Sequence, residues 1–167
     1  MFKIERISED HLLPGFDCGD ENKNRFLTKF ALQNSKGGFG RTYVAVKSGQ
    51  KAVLGFYTIS SSSVRFENIP SKRNLPRYPL PSILIGKLAV DSSVKGQGLG
   101  TALMFDALKR VAEISEEIGI FLVEVKAVDA KAKQFYKRLG FLEMLDNDLK
   151  LFMAIKTVRK VLAQTDE

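Results

Sequence analysis

Residues suited to metal or disulfide chemistry are scarce in this chain. It has one cysteine, Cys18, one histidine, His11, and no tryptophan. A single cysteine excludes a disulfide framework within the chain and fits a reducing compartment. The two residues are also too few for an ordinary zinc site, so no metal is expected. A Cys–His nucleophile pair would have to be Cys18 with His11. Both lie in an N-terminal stretch without a strand-to-helix setting, so a small turn or core residue is the expected role of Cys18. No apolar run approaches the roughly 20 residues of a membrane span. The first ten residues, MFKIERISED, lack the apolar core of a secretory signal, and a cytoplasmic protein is expected. Acidic residues are the minority, 19 against 26 Lys and Arg, for a net charge of +7. That excess attracts polyanions, whether nucleic acid, phosphorylated cofactors or acidic proteins, without choosing among them. Only five prolines occur, and four of them (Pro70, Pro76, Pro79, Pro81) fall within residues 65–82 beside Arg65, Lys72, Arg73 and Arg77. This reads as a basic, proline-stiffened connection without a long element.

What is present reads as one domain over residues 1–167. Apolar residues make up 44% and charged residues 27% of the 167, ordinary for a globular chain able to bury one core. Alternation predicts strands at 2–6, 41–47 and 51–60, the last two joined as a hairpin through Ser48-Gly49-Gln50. Asp17-Cys18-Gly19-Asp20 is turn and cap chemistry, and Phe26, Leu27, Phe30 and Ala31 fall at helical spacing over 21–34. The glycines of 35–40 predict a loop there. Residues 83–90 (ILIGKLAV) are apolar enough for a strand buried on both faces. A loop over 91–97 leads to a long helix over 98–118, ended by Gly119. A strand at 120–126, a short helix at 130–139 and strands at 141–145 and 149–155 follow. The tail from Lys156 is expected to add a helical turn or fray. The order β-α-ββ-β-α-β-α-ββ implies an α/β (α+β) fold, a mixed, mostly antiparallel sheet flanked by helices.

The segment from Ile83 to Thr101 carries the chemistry. A strand runs into a loop holding Gly96, Gly98 and Gly100, and the loop runs into a helix. The first N–H groups of that helix lack intrahelical acceptors and its dipole is positive there, which suits a pyrophosphate. The Rossmann fingerprint would need glycine where Thr101 stands, and the Walker A motif would need lysine after Gly100. Lys95-Gly96-Gln97-Gly98-Leu99-Gly100 instead resembles the acetyl-CoA loop of the GNAT acetyltransferases, [RQ]-x-x-G-x-[GA], departing from it at Lys95. Phe135-Tyr136-Lys137-Arg138-Leu139-Gly140-Phe141 resembles a second GNAT motif, F-Y-x-[RK]-x-G-F, in the expected order and spacing.

The resemblance implies an acetyl-CoA-dependent N-acetyltransferase. It implies that Lys95, Gly96, Gln97, Gly98, Leu99, Gly100 and Thr101 hold the pyrophosphate and that Leu88 and Val90 lie along the pantetheine arm. It also places Tyr136 near the sulfur. The reaction needs a neutral amine to attack the thioester, a donor for the oxyanion, and a proton for the departing thiolate. Backbone N–H groups near Leu88 and Val90 suit the second need and the Tyr136 phenol the third. Residues 83–90 hold no carboxylate to serve as base. Glu124, on the following strand, is the nearest, and reads equally as the partner of a lysine. At pH 7 an α-amine of pKa ~7.8 is about one-seventh neutral, against about one part in 2,500 for a lysine of pKa ~10.4. Without a base, an α-amine is the easier acceptor.

The N-terminal half resembles one GNAT branch, the TacT-type toxins of toxin–antitoxin modules. The resemblance rests on Phe16-Asp17-Cys18-Gly19, Asn24-Arg25-Phe26-Leu27, Arg41-Thr42-Tyr43-Val44, the stretch 55–60 (GFYTIS) and Gly86-Lys87-Leu88-Ala89-Val90. It implies acetylation of the α-amine of aminoacyl-tRNA, a translation block, a DNA-binding antitoxin as partner, and a homodimer. Lys36, Arg41, Lys72, Arg73, Arg77 and Lys87 are the candidate phosphate contacts, each equally readable as a solvated surface charge. Acetylation of a protein or small-molecule amine, or a non-catalytic module binding nucleic acid or an antitoxin, are the competing readings.

Overall fold

The computed structural model describes residues 1–70 and 74–165. Its elements are β1 (Phe2–Arg6), α1 (Glu21–Arg25), a π-helical turn (Phe26–Phe30), α2 (Ala31–Gly37), β2 (Arg41–Lys47), β3 (Gly55–Val64), β4 (Leu80–Val90), α3 (Leu99–Ser115), β5 (Leu122–Lys126), α4 (Ala130–Arg138), β6 (Leu142–Glu143), β7 (Lys150–Ala154) and α5 (Ile155–Thr165). The strands are hydrogen-bonded in the order β1-β2-β3-β4-β5-β7-β6. The β4–β5 ladder is parallel, while β1–β2, β2–β3, β5–β7 and β6–β7 are antiparallel. This is the mixed, mostly antiparallel sheet that the element order implies.

Contacts divide the chain into two compact units, Met1–Ser60 with Gly86–Ala107, and Ser61–Ile85 with Leu108–Glu167. In the first, β1 and β2 pair from Phe2↔Lys47 to Arg6↔Tyr43. A core gathers Phe16, Leu27, Val44, Val46, Phe56 and Ala89. Asp20 caps α1 by accepting from the N–H groups of Asn22 and Lys23. The helical path continues through the π turn, where the Thr28 hydroxyl donates to the Asn24 carbonyl at 3.1 Å. Local bonding of this kind competes with the regular helical ladder. Helix α2 runs on to Gly37, into the stretch expected to be loop, and Gly38 closes it at φ 80°. A glycine there ends the helix without the cost of a Cβ in the left-handed region.

The third strand differs from expectation at both ends. Residues 51–53 pair with the segment at Leu12 instead: Leu12 N–H donates to Lys51 O at 2.9 Å and Val53 N–H to Leu12 O at 3.1 Å. β3 therefore starts at Gly55 and runs on through its serines to Val64. The fourth strand begins early, at Leu80, inside the proline-rich connection. The Pro81 carbonyl still accepts from Phe121 N–H at 2.8 Å, so the missing donor does not end the strand.

The second unit has its own core of Val64, Ile69, Leu80, Leu122, Met144 and Phe152. The β4–β5 ladder covers Ser82↔Leu122 to Ile85↔Val125. α4 is capped by Asp129, whose carboxylate accepts from Ala132 N–H at 2.8 Å. The tail is more than a fraying turn. It forms the eleven-residue α5, which buries Ile155 and Val158.

Candidate active site

In the first unit the end of β4, the glycine loop and the start of α3 form one continuous piece. Asp91 opens the loop by accepting from the Ser93 N–H at 2.9 Å, and a short 3₁₀ turn covers Ser92–Val94. Gly96 and Gly98 then take φ 79° and 82°, and a Cβ on either would meet nothing within 4 Å. Backbone conformation, rather than crowding, requires glycine at both, and the space beside them is open to a ligand. Gly96, Gln97, Gly98 and Thr101 are exposed and Gly100 is half-buried. The Leu99 side chain is buried in the core, so Leu99 has only its backbone to offer a pyrophosphate.

The Lys95 side chain makes a bond that its motif position does not suggest. Its ammonium donates to the Cys18 carbonyl at 2.8 Å, which ties the loop to the turn over residues 17–20. Asp17 completes the tie: its N–H donates to Asp91 Oδ2 at 2.9 Å, and its carbonyl accepts from both the N–H and the hydroxyl of Ser92 at 2.8 and 2.9 Å. The buried Asn24 joins in, accepting from Cys18 N–H and donating to Asp17 Oδ1. Hydrogen bonds from Gly19 N–H and then from Asn24 hold the Asp17 carboxyl below its ordinary range. These bonds tie the loop to the turn at residues 17–20 from both of its ends. The sequence reading missed this clamp.

β4 also departs from expectation. Of the strand read as buried on both faces, Ile83, Ile85 and Ala89 are buried while Leu88 and Val90 are only half-buried. Beyond Ile85 the ladder to β5 ends, so on the edge away from β3 residues 86–90 run free of it. Half-exposed apolar side chains beside an unladdered backbone edge fit a pantetheine arm, which needs both contact and amide partners. Lys23, which was not singled out from sequence, reaches this edge and donates to Leu88 O at 3.5 Å. Gly55 is packed tightly here. A Cβ on it would lie 2.9 Å from Leu103 Cδ1, 3.2 Å from Leu99 Cδ2 and 3.3 Å from Ala89 O.

The basic residues divide. Lys36 and Arg41 line a cleft of about 490 Å³ together with Arg6, which sequence reasoning missed. Neither is simply solvated. Lys36 pairs with Glu9 at 2.5 Å, and Arg41 donates to the Ser35 carbonyl at 2.5 Å, near the end of α2. Lys87 stands with its ammonium 4.4 Å from the centre of the Phe26 ring, a cation–π contact, and is not part of the cleft lining. Arg77 is exposed, and Lys72 and Arg73 lie outside the described residues. Cys18 and His11 make no catalytic pair. Cys18 Sγ contacts the Asp20 carbonyl, and His11 accepts from Ser8 N–H through Nδ1, which leaves Nε2 to donate to Glu5 at 2.8 Å.

In the second unit Tyr136 is buried on α4, edge-on to the rings of Phe135 and Phe141. Burial pushes its phenol up to about 12, so it is fully protonated at neutral pH. The proton is in place, but a raised phenol is a weaker acid than a free one, so its donation to a thiolate is carried by position and not by this shift. Glu124 is half-buried, and among the described residues it accepts from the Ser62 hydroxyl and pairs with no lysine. Among the described residues no group of three or more His, Cys, Asp or Glu is placed to hold a metal.

Residues 38–143 match the family described as the acetyltransferase (GNAT) domain. A tRNA-acetylating toxin of Mycobacterium tuberculosis is 33% identical over 159 residues, 94% of each chain. Among solved structures, AtaT complexed with acetyl-methionyl-tRNAfMet is similar at a TM-score of 0.90 and 33% identity, covering 96% of this chain and 99% of that one. A mutant AtaT toxin bound to the C-terminus of the antitoxin AtaR and acetyl-CoA gives 0.85 at 31% identity, covering 98% and 99%. A likeness that runs through nearly the whole of both chains makes this chain a member of the GNAT family of acetyl-CoA-dependent N-acetyltransferases.

Proposed function

We propose that this enzyme acetylates the α-amine of an aminoacyl-tRNA and thereby blocks translation. The observation that carries the reading is the likeness to a tRNA-acetylating toxin over 94% of both chains. The cleft lined by Arg6, Lys36 and Arg41 supports it through its surplus of cations over Glu9 and Asp10, which line it too, since a polyanion needs positive charge to bind. In the reaction, the loop at 95–101 holds the donor's pyrophosphate by backbone N–H groups, and Leu88 and Val90 flank its arm. Tyr136 hands its phenolic proton to the departing thiolate. No carboxylate lies on β4 between Leu80 and Val90, so the amine itself must supply the neutral form, and an α-amine does so at physiological pH.

Charged tRNA is found in the cytoplasm, which is where the enzyme would act. A toxin of this kind needs restraint, and a DNA-binding antitoxin is the partner we assign; a similar toxin has been seen bound to an antitoxin C-terminus. A homodimer is the expected assembly.

The test is incubation of the purified protein with labelled acetyl-CoA and a pool of charged tRNAs, beside uncharged tRNA and total protein. Label on charged tRNA alone is expected. Label on protein would replace the acceptor and leave the acetyltransferase chemistry in place. Acetyl-CoA binding with no label anywhere would favour a non-catalytic module.

A further inference from the structure

The second unit holds a groove of about 560 Å³ whose lining includes none of the residues assigned to acetyl transfer above. Its apolar lining includes Ile69, Phe121, Leu142, Phe152 and Ile155, and its other side is Lys156, Arg159 and Lys160 of α5. Phe121 is 37% exposed and Leu142 57%, so two large apolar side chains stand in water at one place. The three cations, at i, i+3 and i+4, share one face of the helix. Arg159 is partly spent on Glu116 at 3.2 Å and on the Ser115 hydroxyl at 3.0 Å. Among the described residues no ion pair involves Lys156 or Lys160, and the groove lining contains no carboxylate.

We infer that this groove docks an acidic amphipathic segment of a partner protein. Its carboxylates meet Lys156 and Lys160, and its apolar side chains cover Phe121 and Leu142. Charge complementarity together with the apolar floor selects this occupant. A nucleic-acid backbone would satisfy the cations but leave Phe121 and Leu142 wet. A second copy docking by the same face would bring like charges together. The inference concerns a protein partner and stands apart from the choice of acetyl acceptor.

The probe is a fluorescein-labelled peptide of about 16 residues, with leucine at helical spacing on one face and glutamate on the other. A counterpart carries lysine for glutamate. Binding is read by anisotropy on the full chain, with acetyl-CoA affinity as the check that each variant folds. The glutamate peptide is expected to bind, and Lys156→Glu with Lys160→Glu to weaken it at least about tenfold. Leu142→Ser is expected to weaken it by a similar factor, while Lys109→Glu, outside the groove, leaves it within about twofold. Absence of binding at about millimolar peptide, equal binding by all variants, or preference for the lysine peptide overturns the proposal. So does displacement of the peptide by tRNA from the wild type but not from the Lys156/Lys160 variant, which would make the face a nucleic-acid surface. Self-association abolished by Leu142→Ser and by the peptide would assign the groove to a second copy and equally overturn it.

Discussion

At the scale of single residues, Tyr136 and Lys95 are separable by experiment. Tyr136 is buried, and that burial raises its phenol to about 12. Tyr136→Phe keeps the ring packing against Phe135 and Phe141 and removes only the proton. The turnover number should fall by about 10²-fold or more, with acetyl-CoA affinity within about twofold, as read by thiol release and calorimetry. Unchanged turnover would remove the acid role. Lys95→Ala should do the reverse. It cuts the tie to the Cys18 carbonyl without touching a reacting atom. Acetyl-CoA affinity should fall about three- to tenfold, as for loss of one charge-assisted hydrogen bond that orders a loop, with turnover at saturation nearly kept. Lys95→Arg should recover part of the loss by reaching the same carbonyl.

At the scale of elements, the start of α3 rests on Gly55 of β3. Its missing side chain lets Leu99 and Leu103 pack against the strand. In Gly55→Ala the leucine tips can shift, but the Ala89 carbonyl at 3.3 Å is backbone and yields little. The expected cost is about 1–3 kcal/mol of stability by urea titration, together with weaker acetyl-CoA binding as the helix start is displaced. A variant as stable as the parent would show that β3 and α3 have more room than these distances allow. The elements also show what local patterning conveys. Strand and helix periods located β2, α3, β5 and α4 to within a few residues, because each buries one face of its own repeat. They failed at residues 51–53 because the partner there is the segment at Leu12, which alternation in one strand does not reveal. α5 had a legible stripe in Ile155, Val158 and Leu162, but the polar end of the tail disguised its length.

At the scale of the whole molecule, pH and salt report on the charge layout. Glu5, Asp17 and Glu143 have carboxyls held low by hydrogen bonds, first from His11, from Gly19 N–H and from Lys133 respectively. At Asp91 burial pushes upward, but hydrogen bonds from Asp17 N–H and Ser93 outweigh it and the carboxyl is lowered. A lowered carboxyl stabilises the fold above its unfolded value, near pH 4, and that contribution disappears as pH falls through the folded value. The urea midpoint should therefore drop on acidification below about pH 4.5, and less steeply in Asp17→Asn. Tyr136 acts at the other end. Its raised phenol favours the fold up to pH ~10, and this contribution is lost as pH climbs through about 12. In salt, acetylation of charged tRNA should decline along a log–log line if the cleft of Arg6, Lys36 and Arg41 holds phosphates. Arg6→Ala with Lys36→Ala should flatten that slope by roughly one to two units and leave acetyl-CoA binding unchanged.

The backbone conformation of the glycine loop is set by local sequence. Gly96 and Gly98 need only their own backbone angles, and the strand before them and the helix after them are read from residues close along the chain. Tertiary structure decided which side chains remain available for function. Lys95 bonds a carbonyl 77 residues away in sequence, and Lys87 stands over the Phe26 ring. It also decided that Leu88 and Val90 stay half-exposed in a strand that reads as wholly buried. Local pattern records the angle a residue prefers and the face it presents. The partner that occupies that face comes from distant chain, and only folding brings the two together.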